Sequence, residues 1–190
     1  MTRTRAFTGG QPEHRCRHRF LRDASGVAAA EMALVFPIFA LVALNIMDLC
    51  MYGVARMQTE QAAQAAVGRA RSLCDTAGEL PATYPSGHCA GLVTEMTAAA
   101  QATSLGGGVT LGTPAEGYYC ADAAGNLISV ATIDATPPAN CSSVVTGSTS
   151  APGIYVSVTA SHTFAPFAPG ITLMSYLPTS IQQTSWMRLK

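Results

Sequence analysis

The hydrophobic residues of this chain are concentrated in one uninterrupted run near the N-terminus. From Val27 to Met47 every residue is apolar except Glu31 and Asn45. A helix over this run is roughly 31 Å long at about 1.5 Å per residue, which matches a bilayer hydrocarbon core of about 30 Å. The run is also longer than the apolar part of a secretory signal peptide, about 7–15 residues. The pattern therefore predicts a single membrane-spanning helix.

Helical spacing continues beyond this run. Apolar residues recur every three or four positions as far as Leu73, with Glu and Gln between them. This periodicity predicts one long helix over residues 27–77. Pro37 lies inside it, removes one backbone hydrogen bond and crowds the carbonyl of Ala33, which favours a kink or local unwinding.

From residue 78 onward the pattern changes, and the sequence predicts a small α+β domain over residues 78–190. The segment 78–87 contains two Pro and two Gly and is typical of a loop. Residues 88–103 carry apolar positions on one helical face and predict a second helix. An antiparallel sheet is expected from the strand candidates that follow: Val109–Leu111, Gly117–Ala121, Asn126–Ile133, Ile154–Phe164 and Ser180–Leu189.

Two further features of this region concern packing. Residues 166–178 form an apolar loop, which we expect to pack against the sheet or against a partner. In the last strand, Ile181 and the sole tryptophan, Trp186, are the expected anchors.

The charges of the chain are unevenly distributed about the apolar run. Residues 1–26 hold six basic and two acidic side chains, a net of +4, and residues 27–190 hold five basic and nine acidic ones, a net of −4. Basic residues flank membrane helices on the cytoplasmic side, so the N-terminus is expected in the cytoplasm and the C-terminal domain outside it. No folded basic face or nucleic-acid motif is visible, which argues against nucleic-acid binding.

The cysteines follow the same division. Cys16 precedes the apolar run and Cys50 lies at its outer end, whereas the remaining four fall in the exported part, where disulfides can form: Cys74, Cys89, Cys120 and Cys141. Four cysteines allow three connectivities. Sequential pairing, Cys74–Cys89 and Cys120–Cys141, closes the shortest loops and is the pairing we favour.

Glu31 is the exceptional residue within the predicted span, because a carboxylate in a bilayer-spanning helix is unfavourable. One interpretation is an interfacial side chain that extends toward the headgroups. Another follows from Gly26: if the chain is cut after Gly26, Val27 becomes the new N-terminus and Glu31 its fifth residue. The terminal ammonium and the carboxylate would then lie one helical turn apart and could pair within a chain or between chains.

The sequence around this site resembles a known family. Gly26 followed by Glu31 is similar to the cleavage site of type IV prepilins. The longer segment RDASGVAAAEMALVFP resembles the TadE-like, pilin-like (pseudopilin) proteins of Flp/Tad tight-adherence pili, with matches that include Arg22, Gly26, Glu31 and Pro37. Met32 departs from the pattern, since these proteins usually carry an aromatic residue there. The Ala-rich continuation through Arg71 extends the resemblance over about fifty residues.

The resemblance implies a function as a minor pilin-like subunit or assembly factor of a Flp/Tad-type pilus. It implies a leader, residues 1–26, that is removed by cleavage between Gly26 and Val27, and assembly roles for Glu31 and Pro37. The implied partners are other pilin-like subunits, a prepilin peptidase, and an inner-membrane assembly platform with its ATPase. The protein would be a single-pass protein of the inner membrane, in contact with lipid, with a periplasmic or extracellular C-terminal domain.

Motifs for catalysis or cofactor binding are absent from the sequence. No nucleophile elbow, zinc-protease motif or phosphate-binding loop occurs. The segment His14–His18 and the loop acids Asp122 and Asp134 fit no familiar metal-site spacing, so we expect no enzyme activity, cofactor or metal. The alternatives left open are a membrane-anchored exported binding or adhesion module unrelated to pili and, less favoured, an anchored enzyme.

Overall fold

The computed structural model of the chain describes residues 24–83 and 89–190. The basic leader as far as residue 23, the His14–His18 segment and residues 84–88 of the predicted loop lie outside this range. Within it the elements follow in the order helix, helix and five strands. The predicted α+β class, with a long apolar N-terminal helix and an antiparallel sheet, is confirmed.

The first helix, α1, spans Ala24–Leu73 and includes Pro37 without a break. The local unwinding considered at Pro37 is therefore not seen. The helix contributes to two compact units, which divide between Leu44 and Asn45. Its segment Gly26–Leu73 is long and apolar enough to cross a membrane.

Helix α1 ends four residues before the predicted boundary at residue 77, because the next residues take part in other interactions. Cys74 forms a disulfide with Cys89. Glu79 then accepts hydrogen bonds from the backbone N–H and the hydroxyl of Thr76, at 3.2 and 2.8 Å. These bonds stabilise a separate 3₁₀ turn at Ala77–Glu79.

The second helix, α2, spans Leu92–Gln101 and is shorter than the predicted 88–103. It buries Leu92, Met96 and Ala100, which follow one another at intervals of four residues and so lie on one helical face. Its exposed Glu95 forms an ion pair with Arg69 of α1, with 2.7 Å between Nη2 and Oε2.

The five strands form one antiparallel sheet. Their bounds are β1 Val109–Leu111, β2 Ala115–Ala121, β3 Leu127–Thr132, β4 Gly153–Thr163 and β5 Ser180–Arg188. Strand β4 is central: β5 pairs with it from Tyr155 to Thr163, whereas β2 and β1 pair with successive parts of its other edge. Strand β3 lies outside β2, joined by a turn in which Gly125 adopts a φ of +86°.

The main core lies where the C-terminal half of α1 meets the sheet. Small residues dominate the α1 contribution, and all of them are buried: Ala62, Ala63, Ala66, Val67 and Ala70. They pack with Met96 of α2 and with the apolar side chains of β4, Val156, Val158 and Ala160. Small side chains allow the helix backbone to lie close to the sheet, which accounts for the Ala-rich sequence of this part of α1.

The two expected anchors of β5 differ in their burial. Ile181 is buried in a second cluster with Ala55, Phe164 and Met174. Trp186 instead remains 44% exposed and contacts the ring of Tyr119 edge-on, with 5.1 Å between the ring centroids. Trp186 therefore anchors an aromatic contact on the outer face of the sheet rather than the core.

Candidate functional site

The N-terminal half of α1 exposes a continuous apolar surface. Large apolar side chains are exposed around the whole helix from Val27 to Met47, including Met32, Leu34, Phe36, Ile38, Phe39, Leu41 and Val42. A helix that is apolar on all sides is typical of a membrane span or of a helix covered by other helices. This part of α1 thus requires a nonaqueous environment.

The predicted cleavage position lies at the start of this surface. Gly26 is in α1 and is exposed, and apart from its chain neighbours and the adjacent helix backbone no described atom lies within 4 Å of the position that a side-chain Cβ would occupy. The Gly26–Val27 peptide bond is therefore sterically accessible, although the backbone there is helical. A peptidase that needs an extended substrate would have to unwind the first turn of α1.

Glu31 is exposed within the same apolar surface. It lies four residues after Val27, so the two residues are neighbours on one face of the helix. Pro37 is also exposed and lies within the continuous helix.

A second polar site lies at the C-terminal end of the apolar run, where α1 binds the loop between β4 and β5. Asp48 is fully buried, with 0% of its surface exposed. Its Oδ1 accepts a hydrogen bond of 2.7 Å from the backbone N–H of Phe167, and its Oδ2 accepts one of 2.6 Å from the hydroxyl of Thr172. A buried carboxylate is stable only when donors satisfy its oxygens, and here residues more than a hundred positions away supply them.

Asn45 supplies the adjacent contact, one turn earlier on α1. Its Oδ1 accepts a hydrogen bond of 2.9 Å from the backbone N–H of Leu173. Farther along, the ring of Tyr52 contacts that of Phe164 edge-on, with 5.4 Å between the centroids. Asn45, Asp48 and Tyr52 thus hold the β4–β5 loop, residues 164–179, against one side of α1.

The profile of the family described as TadE-like protein matches residues 26–67. This segment is TadE-like. The match begins at Gly26, includes the whole exposed apolar surface and extends into the part of α1 that packs on the sheet. No curated protein and no solved structure shows significant similarity to the chain.

The match confirms the resemblance stated from the sequence. A TadE-like segment implies a protein associated with the Tad pilus, and the apolar helix suggests single-pass membrane anchoring. The roles of Gly26, Glu31 and Pro37 stay predictions, because no observation tests them.

Sequence reasoning missed the contribution of Asn45 and Asp48. Asn45 was regarded only as a polar exception in the run, and Asp48 was given no structural role. The signal was nevertheless present, because they continue a stripe of buried or half-buried α1 residues at intervals of three or four: 45, 48, 52, 55, 59, 62, 66 and 70. The stripe that packs on the domain therefore begins before the apolar run ends.

The cysteines beyond the TadE-like segment form the two disulfides Cys74–Cys89 and Cys120–Cys141, which is the sequential pairing favoured from the sequence. The first joins the end of α1 to the segment before α2. The second joins β2 to the loop between β3 and β4. Cys50 is free and exposed in α1.

Within residues 24–83 and 89–190, no group of three or more His, Cys, Asp or Glu side chains is placed to hold a metal ion. The carboxylate of Asp122 instead accepts hydrogen bonds from the backbone N–H of Ala124 and of Asn126 and from the Asn126 amide. The amide and then the backbone of Asn126 hold the pKa of Asp122 below its ordinary value.

Proposed function

We propose that this protein is a minor pilin-like subunit or assembly factor of a Flp/Tad-type pilus. The observation that carries the proposal is the TadE-like segment at residues 26–67, together with the exposed apolar helix that it contains. We propose a structural role without enzyme activity. The domain built on the C-terminal half of α1 would be presented outside the cytoplasm.

The exposed part of α1 is suited to two successive environments. Lipid covers an all-apolar helix before assembly, and the helices of neighbouring subunits can cover it afterwards. Van der Waals packing then replaces lipid contacts, so the transfer does not require exposure to water. The same surface thus serves both storage in the membrane and packing with other pilin-like subunits.

Cleavage between Gly26 and Val27 would change the charge at the start of the helix. Removal of residues 1–26 replaces a segment with a net charge of +4 by one terminal ammonium. Basic residues near an anionic leaflet are attracted by about 1 kcal/mol each, so their removal lowers the cost of withdrawing the helix from the cytoplasmic side. Cleavage requires the prepilin peptidase, and withdrawal of the helix requires the assembly platform and its ATPase.

Glu31 would act after cleavage. Its carboxylate lies one turn from the new ammonium of Val27 and can pair with that amine in the same chain or in a neighbour. A buried charge without a partner is strongly unfavourable. The carboxylate therefore favours one axial position of the helix beside its neighbour.

Mass spectrometry of the protein from its native host tests the cleavage. The expected mature N-terminus is Val27, and Gly26→Trp should leave the longer precursor in the membrane, because a bulky side chain beside the scissile bond blocks the peptidase. Gly53→Trp is the matched control, since Gly53 lies in the same helix and also has open space at its Cβ position. An intact leader in the native protein would refute processing and favour an unprocessed assembly factor.

The pilus role itself is tested by Glu31→Ala. This variant should be cleaved normally but be depleted from sheared pilus fractions or reduce pilus number. Glu60→Ala is the control, because Glu60 is an exposed acid of α1 beyond the apolar run. Normal piliation in cells that lack the protein altogether would reject the pilus function and support a membrane-anchored binding module.

A further inference from the structure

We propose that the β4–β5 loop, residues 164–179, is a second membrane contact that inserts its apolar side chains into the outer leaflet beside α1. This inference rests on membrane anchoring by α1 and goes beyond the pilus role. The occupant of this surface is lipid.

The loop has the composition of a membrane-contacting segment. It contains no Asp, Glu, Lys, Arg or His. Outside α1, eight large apolar residues are exposed within the described part of the chain, and five of them lie in this loop: Phe167, Ile171, Leu173, Tyr176 and Leu177. Concentration of exposed apolar surface in one loop indicates an interaction site rather than ordinary surface variation.

The contacts with α1 determine the position of the loop along the helix axis. Leu173 is bonded through its backbone to Asn45, two residues before the apolar run ends at Met47. Thr172 and Phe167 are bonded to Asp48, the first residue after the run. The loop is therefore bonded to α1 at the residues where the apolar run ends.

Several backbone N–H groups of the loop are hydrogen-bonded, as a low-dielectric environment requires. The N–H groups of Phe167 and Leu173 are bonded to α1 side chains, and those of Ile171 and Leu177 are bonded within the loop. Irregular backbone near lipid requires such satisfaction. Tyr176, 88% exposed, is a residue type enriched at membrane interfaces.

The loop and helix together enclose an open apolar groove of about 250 Å³, lined by Asn45, Ile46, Leu49, Leu173, Met174 and Leu177. The groove opens beside the last turn of the apolar run. Its lining is apolar apart from Asn45, which suits part of an acyl chain.

Tryptophan fluorescence in nanodiscs tests the proposal on the full-length chain. In a Trp186→Phe background, Leu173→Trp places the only tryptophan in the loop, and Tyr176→Trp provides a second probe. Ile128→Trp, at an exposed apolar position of β3, is the matched control. With one chain per disc, brominated phosphatidylcholine should quench most of the emission of the two loop probes and little of the control emission.

The outcomes separate lipid from the other possible occupants. The proposal is supported if brominated lipid quenches the loop probes and Asp48→Ala abolishes this quenching while the protein remains in the disc. This result would show both the lipid contact and the attachment of the loop to α1. The proposal is overturned if aqueous acrylamide quenches the loop probes as strongly as it quenches the control. Protection from acrylamide that requires several chains per disc, without quenching by brominated lipid, also overturns it and identifies a second copy as the occupant. None of these readouts depends on leader cleavage or pilus formation, so the proposed function can fail independently.

Discussion

The packing of α1 on the sheet can be measured with one substitution made at two positions of the same helix. Val67 is 1% exposed in the main core, whereas Val54 is 44% exposed. Val67→Ala removes two methyl groups from the core. Their transfer is worth about 1.6 kcal/mol at about 0.8 kcal/mol per group, and the residual cavity raises the expected loss to about 2–3 kcal/mol.

The assay is thermal unfolding of the full chain in detergent micelles, followed by the fluorescence of Trp186. This side chain lies in β5 and contacts Tyr119 of β2, so its emission reports on the sheet. For a unit the size of residues 45–190, 1 kcal/mol corresponds to a shift of about 2–4 °C. Val67→Ala should therefore lower the midpoint by about 4–12 °C.

Val54→Ala is the matched control. Its side chain is largely exposed, so the change in stability should remain within about 0.5 kcal/mol. Equal midpoints for the two variants would refute the reasoning, because they would mean that the buried stripe of α1 does not hold the sheet. A large loss for Val54→Ala alone would instead indicate that the exposed face is covered by another element.

Three further predictions concern the C-terminal domain. Replacing Cys74 and Cys89 together by Ala should cost about 3 kcal/mol, since the bond closes a loop of 15 residues; an unchanged urea midpoint would contradict this. A reporter that is active only outside the cytoplasm, fused after Lys190, should be active, and an inactive but stable fusion would reject the orientation. The pKa of Asp122 is lowered, so its stabilising bonds are present above its ordinary pKa of 3.8 and are lost as pH falls through the lower folded value. The difference in unfolding free energy between wild type and Asp122→Ala should accordingly shrink in that acidic range. A difference that does not change with pH would contradict the stabilising role of the Asp122 carboxylate.

The elements themselves were predictable because their signals are local. The apolar run and the three-to-four spacing that follows it predict α1, and alternation along Ile154–Phe164 predicts the strand observed as Gly153–Thr163. The segment Val109–Leu111 has the same bounds in the sequence prediction and in the structure. Periodicity reflects which face of a helix or strand is buried, so it can be read without knowledge of the partner.

Local signals were less informative where an element ends. Helix α1 was expected to reach residue 77 but ends at Leu73, and the next residues form a separate 3₁₀ turn in which Glu79 bonds back to Thr76. The residues up to 77 remain compatible with a helix in isolation. The boundary is set by contacts that compete with helix continuation.

The arrangement of the strands and the site at Asn45 and Asp48 were decided only by the tertiary structure. Strands β1 and β2 share one edge of β4, a pairing between segments about forty to fifty residues apart that strand patterns do not specify. Thr172 meets Asp48 across 124 positions of sequence. The sequence by itself determined that α1 is a TadE-like apolar helix, since that depends on the order of side chains along one helix. Only the folded chain determined which polar groups of that helix are buried, because burial of a carboxylate depends on donors that distant residues bring to it.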